Sequence, residues 1–450
     1  MNRFAYTALI SLLSPALLIW MGLRARRAGG QWGVLSGPRF GRYTTVAPRR
    51  RSCWIHAVSL GETRAAQPLA QALLDEGRVV LLTHMTATGR AEAGRMFAQA
   101  IAEGRLIQEW LPYDFPGCVQ RFLAHYKPCM GVMIEREIWP NIIATAVRMK
   151  IPMILASARF SDHSLRQSLR GGRVMREAYE SLHTVYAQTL QDAQRLEQAG
   201  AYAVRVSGNF KFDVSPAPEE VARGRAFAAA LPRKMLTIAS TREGEDELFI
   251  SAIAQQLKRA AAHGNYLADE VLFCLIPRHP QRFDEAAALL AKAGIPYARR
   301  SQFARGDGTA SRNIKLCSNK VVLLGDSIGE MTRYYATSQI AIVAGSFAPL
   351  GGQNLIEACA VGLPVIVGPH TRNFEQAAAD AIQEGAALRA PDADSAIQLA
   401  LQLLDDPQRL SKMGEAGAHW VKQHAGAVER VMIGLNELAP RQETAALDQE

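Results

Sequence analysis

Ile340-Ala341-Ile342-Val343-Ala344-Gly345-Ser346-Phe347-Ala348-Pro349-Leu350-Gly351-Gly352-Gln353-Asn354-Leu355-Ile356-Glu357-Ala358, followed by Gly362-Leu363-Pro364-Val365-Ile366-Val367-Gly368-Pro369, reads as strand, glycine-rich turn, helix start and second strand. The two apolar runs are short, continuous and β-branched, the mark of strands buried on both faces of a parallel sheet. The same alternation of short apolar runs with longer amphipathic segments recurs along the chain. In the first half the strand candidates are Cys53 to Val58, Val79 to Thr83, Met130 to Ile134, Met153 to Ala156 and Thr184 to Ala187. In the second they are Met235 to Ala239, Val271 to Ile276, Val321 to Leu324, Ile340 to Val343 and Val365 to Val367. The class is α/β, with each set sized for one doubly wound, Rossmann-like domain. Asp213-Val214-Ser215-Pro216-Ala217-Pro218 reads as the linker between the sets. The expected division is 1–30 anchor and basic collar, 31–212 first domain, 213–440 second domain and 441–450 tail. Arg300 to Arg312 reads as a surface loop. Two such domains facing one another make a cleft, and ligands of open parallel sheets bind beyond the carboxyl ends of the strands.

The chain has 450 residues, 48% hydrophobic, 21% charged and 7% aromatic, which suits two domains with their own cores and excludes disorder and small disulfide-stapled folds. The net charge of +9 is local. Residues 1–61 hold nine arginines (Arg3, Arg24, Arg26, Arg27, Arg39, Arg42, Arg49, Arg50 and Arg51) and no acid, which leaves 42 basic and 42 acidic residues for the body. A nucleic-acid partner, which needs a basic face on the folded domains, is therefore not expected. Phe4 to Leu23 carries no charge and as a helix spans roughly 30 Å, the thickness of a bilayer core. Arginines dense on its C-terminal side place the body in the cytoplasm, with the collar near an anionic leaflet. Pro15 leaves two dispositions open, a kinked crossing helix or one lying in the interface. The six cysteines form no C-x-x-C pair and read as reduced, packing thiols.

Chemistry is carried by the turns after strands. Trp54-Ile55-His56-Ala57-Val58 runs into Ser59-Leu60-Gly61-Glu62, putting Glu62 at a strand-to-helix turn. There it serves either as a general base, ionised and ready, or as a helix-capping carboxylate. Met133-Ile134-Glu135-Arg136-Glu137-Ile138-Trp139-Pro140-Asn141 places charges after an apolar run, and a solvated strand end with Arg136 pairing one acid explains it as well. Lys211, in Ser207-Gly208-Asn209-Phe210-Lys211-Phe212-Asp213, reads by itself as a surface lysine. Pro277-Arg278-His279-Pro280 is a rigid turn whose arginine suits a phosphate. Leu324-Gly325-Asp326-Ser327-Ile328-Gly329-Glu330 offers backbone N–H groups at a helix start, though a plain turn accounts for either stretch. In the opening stretch, glycines admit a nucleotide to the backbone and Glu357 sits where a carboxylate accepts from ribose hydroxyls. Neither G-x-G-x-x-G nor G-x-x-x-x-G-K-[ST] occurs.

The pattern Gly351-Gly352-x-Asn354-x-x-Glu357-Ala358 before Gly362-x-Pro364-Val365 resembles the donor half of GT-B glycosyltransferases. With His56-x-Val58-Ser59-x-Gly61-Glu62, Tyr113-Asp114, Glu135-x-Glu137-x-Trp139-Pro140-Asn141, Gly208 to Asp213, Pro277 to Pro280 and Gly368-Pro369-His370-Thr371-x-Asn373-Phe374, the chain resembles the 3-deoxy-D-manno-octulosonic acid (Kdo) transferases of lipid A biosynthesis. The resemblance covers nearly the whole chain. It implies inverting transfer of Kdo from CMP-Kdo to the lipid A precursor lipid IVA, at the cytoplasmic face of a bacterial inner membrane among anionic lipids. It also implies Glu62 as general base, Glu135 and Lys211 as transition-state stabilisers, and CMP contacts at Pro277, Arg278, Ile328, Gly329, Glu330, Asn354, Leu355, Ile356 and Glu357. Lys211 and Arg278 would then meet the leaving phosphate in a closed cleft, with no metal or cofactor expected. The choice of Glu135 over Glu137 rests on the resemblance. Gln353 stands where His is expected before the Asn, and Ser157-Ala158-Arg159 where Asn-Ala-Arg is common. The rival readings are a GT-B enzyme using a UDP-sugar, a membrane-tethered protein binding anionic lipid, and a sugar-nucleotide epimerase.

Overall fold

Parallel pairing of the apolar runs yields two separate seven-stranded sheets in a computed structural model of the chain. The structure describes residues 1–27, 32–44, 47–48, 50–213, 216–264, 267–303 and 310–438. The Arg27 side chain, Arg49, Val214, Ser215, the loop residues 304–309 and the tail Arg441 to Glu450 lie outside the described residues. One compact unit is Met1–Asp213 together with the segment from His424 onward, and the other runs to Gln423.

In the first unit the strands are β1 (Cys53–His56), β2 (Val80–His84), β3 (Leu106–Trp110), β4 (Met130–Ile134), β5 (Met153–Ala158), β6 (Thr184–Ala187) and β7 (Val204–Val206). Their order is β3-β2-β1-β4-β5-β6-β7. The winding reverses beside β1, with β2 on one side and β4 on the other, so a crevice forms outside the carboxyl ends of β1 and β4. Side chains alternate across the sheet. Cys53, Ile55 and Ala57 join a core with Leu69, Leu73 and Phe210, whereas Trp54 joins Phe122, Met133 and Leu155 on the other face.

In the second unit the strands are β8 (Lys234–Thr241), β9 (Val271–Pro277), β10 (Tyr297–Arg299), β11 (Val322–Leu324), β12 (Ile340–Val343), β13 (Val365–Val367) and β14 (Ala387–Arg389), ordered β10-β11-β9-β8-β12-β13-β14. Here the switch lies between β8 and β12. Leu236 and Ile238 pack with Phe249 and Ile253 on one face, and Met235 with Leu272 and Leu323 on the other.

Three expectations are corrected. The helix Ala427–Leu438 does not belong to the second domain. Its residues Ala427, Val428, Val431, Met432 and Leu435 complete a core of the first unit, and the Asp213 carboxylate accepts the N–H groups of Gly426 and Val428. Arg39 is not part of a solvated collar. It is fully buried, donates to the carbonyls of Met85 at 2.8 Å, Trp32 at 3.0 Å and Leu111 at 3.2 Å, and lies 4.5 Å over the Trp110 ring. Arg300 is no loop residue in solvent, since its guanidinium pairs with Glu330 at 2.7 Å.

The apolar N-terminal segment forms one helix, α1 (Arg3–Arg27), which runs through Pro15. Tyr6, Ile10, Ser14, Leu18, Met21 and Ala25 recur every three or four residues and are its shielded stripe. Tyr6 Oη donates to Asp114 at 2.9 Å and Thr7 bonds with Asn141. The opposite side leaves Phe4, Leu12, Ile19 and Trp20 exposed.

Candidate active site

After β1 the chain turns at Ser59, the N-cap of α2 (Leu60–Asp75), and Glu62 occupies the third helical position. Its Oε2 accepts the Val58 N–H at 2.6 Å and its Oε1 accepts the Ser59 hydroxyl at 3.2 Å. The cap is therefore real, and it coexists with a perturbed acid. Burial first, then the Glu137 and Glu135 carboxylates, push the Glu62 pKa up to about 7, against the two hydrogen bonds that favour the charged form. This corrects the expectation that Glu62 simply stays ionised, because burial, joined by two acids distant in sequence, outweighs the hydrogen bonds at the helix start. A carboxyl group titrating near neutrality is matched to proton abstraction.

The same crevice takes Glu135 from the end of β4. Its backbone N–H still pairs with Ala156 O at 3.0 Å, but its φ of +62° is a left-handed conformation that a glutamate adopts only at a cost. That turn swings the side chain to within 3.4 Å of Lys211 Nζ, and the two side chains are 18% and 25% exposed. Lys211 is thus a half-buried partner of Glu135, corrected from a surface lysine. It sits in a short turn, Phe210–Phe212, held by the buried rings on either side of it and by Asn209, whose side chain accepts the Lys211 N–H. Glu137 behaves differently. It accepts Trp139 Nε1–H at 3.0 Å, and burial raises its pKa. Behind the turn, Asp114 accepts the N–H groups of Asn141 and Ile142 and so caps the helix Pro140–Arg148.

In the second unit, β9 ends on Pro277, which is buried, and Arg278 follows with its N–H on Thr241 O at 2.9 Å. Its Nε donates to Gln353 Oε1 at 3.2 Å. His279 is exposed. Ile328 is exposed beside Gly329, whose φ is +84°, and Glu330 is engaged by both Arg300 and Arg333. The helix after the glycine-rich turn is only Ile356–Ala360, with Glu357 its second residue. Asn354 donates to Glu357 Oε1 at 3.0 Å and accepts the Ile356 N–H. Leu355 and Ile356 bury their side chains, so only their main chain is offered to a ligand.

Sequence reasoning missed Glu245. It is fully buried at the start of the helix Glu245–Ala262, after β8, and its carboxylate accepts the N–H groups of Gly345 at 2.6 Å, Phe347 at 2.9 Å and Ala348 at 3.2 Å. The signal was four acids (Glu243, Glu245, Asp246 and Glu247) behind an apolar strand. The only D-x-D has local duties: Asp392 caps a helix through the Ser395 N–H, and Asp394 pairs with Arg259 at 3.0 Å. Among the described residues no three His, Cys, Asp or Glu side chains gather as a metal-binding set.

The family described as 3-deoxy-D-manno-octulosonic-acid transferase (kdotransferase) matches residues 36–214, and glycosyl transferases group 1 matches residues 312–420. The 3-deoxy-D-manno-octulosonic acid transferase of Bordetella pertussis is 54% identical over 97% of this chain and 99% of its own. The enzyme of the same name from Haemophilus influenzae is 28% identical over 96% and 97%. Among solved structures, a glycosyltransferase from Rickettsia africae matches with a TM-score of 0.53 at 14% identity, covering 87% of this chain and all of that one. At that identity the likeness concerns the GT-B fold alone. Because the Bordetella relative aligns along nearly the whole of both chains, this protein belongs to the 3-deoxy-D-manno-octulosonic acid transferases and is a glycosyltransferase.

Proposed function

We propose that the enzyme moves Kdo from CMP-Kdo to a hydroxyl of lipid IVA with inversion at the anomeric carbon, Glu62 acting as general base. The observation that carries this reading is the crevice of the first sheet, where a carboxyl group with a pKa near 7 adjoins a Glu135–Lys211 ion pair. Glu62 takes the acceptor proton as the hydroxyl oxygen bonds to the anomeric carbon, the bond from that carbon to the phosphate oxygen breaks, and CMP departs. Glu135 faces positive charge developing on the sugar, and Lys211 pairs with Glu135. In the second unit Arg278 is the proposed phosphate contact, with Pro277, Ile328, Gly329, Glu330 and the run Asn354 to Glu357 supplying the nucleotide site.

Incubating purified protein with CMP-Kdo and tetraacylated lipid IVA, and weighing the products, tests donor and acceptor together. A mass increase by whole Kdo units, inhibited by CMP and not by UDP, is expected. No Kdo-bearing product, or inhibition by UDP alone, would move the reading to another sugar nucleotide.

The reading places the enzyme on a membrane through α1. The helix is shielded along one stripe from Tyr6 to Ala25 and bonded to the folded unit at its N-terminal end, which supports a helix lying in the interface over one crossing the bilayer. Exposed Phe4, Leu12, Ile19 and Trp20 then enter the acyl boundary, and exposed Arg3, Arg24 and Arg26 meet anionic headgroups. Leu12→Asp with Ile19→Asp is expected to abolish flotation with vesicles of anionic phospholipid while leaving thermal stability unchanged. Undiminished flotation would remove α1 from the membrane contact.

A further inference from the structure

The donor reading leaves two side chains in the second unit without a role, Glu245 and Gln353, and both lead to Arg278. A guanidinium binds a phosphate well only when its plane is fixed in advance. Gln353 Oε1, accepting the Arg278 Nε–H at 3.2 Å, sets that plane from the stem side of the fork. The glutamine is itself seated tightly. A Cβ on Gly345, where φ is +71°, would lie 2.9 Å from Gln353 Cγ and 3.1 Å from its Nε2, so only glycine leaves room for the side chain. Gly345 O accepts the Gly352 N–H at 2.6 Å, which closes the glycine-rich turn on itself.

What holds Gly345 is Glu245. Besides the three N–H groups of the loop after β12, its Oε2 accepts the Arg242 N–H at 2.9 Å. Four backbone donors replace water around a carboxylate that is 0% exposed, an arrangement that keeps a buried charge tolerable and leaves its donors no alternative partner. The charge therefore joins the turn after β8 to the loop after β12 across the switch point of the sheet. A continuous line of contacts runs from Glu245 through Gly345 to Gln353 and Arg278.

We propose that Glu245 and Gln353 are positioning residues for the donor: Glu245 fixes the glycine-rich loop, and Gln353, seated on that loop, orients the Arg278 guanidinium for the nucleotide phosphate. This rests on the reading of Arg278 as a phosphate contact. Gln353 stands where the family resemblance leads one to expect histidine, and an imidazole nitrogen, when neutral, is also able to accept the same N–H.

The test uses calorimetric titration of the full chain with CMP at pH 8, together with steady-state kinetics in CMP-Kdo. Arg278→Ala is expected to weaken CMP binding a hundredfold or more. Gln353→Met, matched in size but lacking the acceptor, is expected to weaken CMP binding and raise the donor KM by about tenfold, with kcat and melting temperature unchanged. Gln353→His is expected to restore most of the loss. Glu245→Gln, if it folds, is expected to weaken CMP binding further than Gln353→Met. Should Arg278→Ala weaken CMP while Gln353→Met binds as the parent does, the positioning role is overturned and the donor reading stands. Should Arg278→Ala bind CMP as tightly as the parent, the donor reading of Arg278 falls and the inference with it. If Glu245→Gln does not fold, Gln353→Met and its histidine rescue decide the matter.

Discussion

Glu62→Gln is expected to lower turnover by about 10²- to 10⁴-fold while CMP binding is retained, because on the proposed mechanism the substitution removes the proton acceptor and leaves the second unit untouched. The amide oxygen can still accept the Val58 N–H, so the α2 cap survives and loss of activity is not loss of the fold. The pH dependence gives the sharper form of the result. Glu62 must be ionised to accept a proton, and its pKa is raised to about 7 by burial and by Glu137 and Glu135. The protonated, inactive form therefore dominates below neutrality, and kcat/KM should rise about tenfold per pH unit up to pH 7 and level off above it. Glu137→Gln removes the acid that, of the two, raises this pKa more, and should move the rising limb to lower pH. A limb that stays in place in Glu137→Gln, or a Glu62→Gln enzyme with near-parental turnover, would assign the base elsewhere.

The strands the sequence revealed are the inner ones. A strand buried on both faces is written as a continuous apolar run, and every inner strand of both sheets was legible to within a residue or two. The four that were not, Leu106–Trp110, Val204–Val206, Tyr297–Arg299 and Ala387–Arg389, are the two edges of each sheet. Edge strands meet solvent on one flank and carry the charges that discourage further pairing, such as Arg205, Arg299 and Arg389, so their apolar signal is diluted. The same division runs through the site. Glu135 and Arg278 lie directly after legible strands and Glu62 in the first turn of the helix that follows one, where neighbouring residues announce a strand end. The Glu135–Lys211 ion pair joins residues 76 positions apart, and Glu245 meets a loop 100 residues downstream. Such partners share no local pattern and exist only once the sheets have ordered their strands. Arg39 carries the same lesson in the opposite direction, since an arginine within a basic run gave no sign that backbone carbonyls would enclose it.

Glu135→Gln is expected to reduce single-turnover rate by about 10²- to 10³-fold, and Glu137→Gln by less than tenfold. Both acids follow β4 and both lie near Glu62, so proximity does not separate them. Their surroundings do. Glu135 is held in a left-handed backbone conformation, which a glutamate adopts only at a cost, and its side chain reaches the Lys211 ammonium at 3.4 Å. Glu137 gives one oxygen to the Trp139 indole, and burial raises its pKa, which disfavours the charged form that a positive sugar centre calls for. Lys211→Met should cost nearly as much as Glu135→Gln, and the double variant little more than either, because the two side chains act as one pair. The two glutamates should then rank in opposite orders by two measurements: Glu137→Gln shifts the pH limb of Glu62 further, and Glu135→Gln lowers the rate further. If one substitution led in both, the pair that serves the sugar would have to be drawn between Glu137 and Lys211 instead.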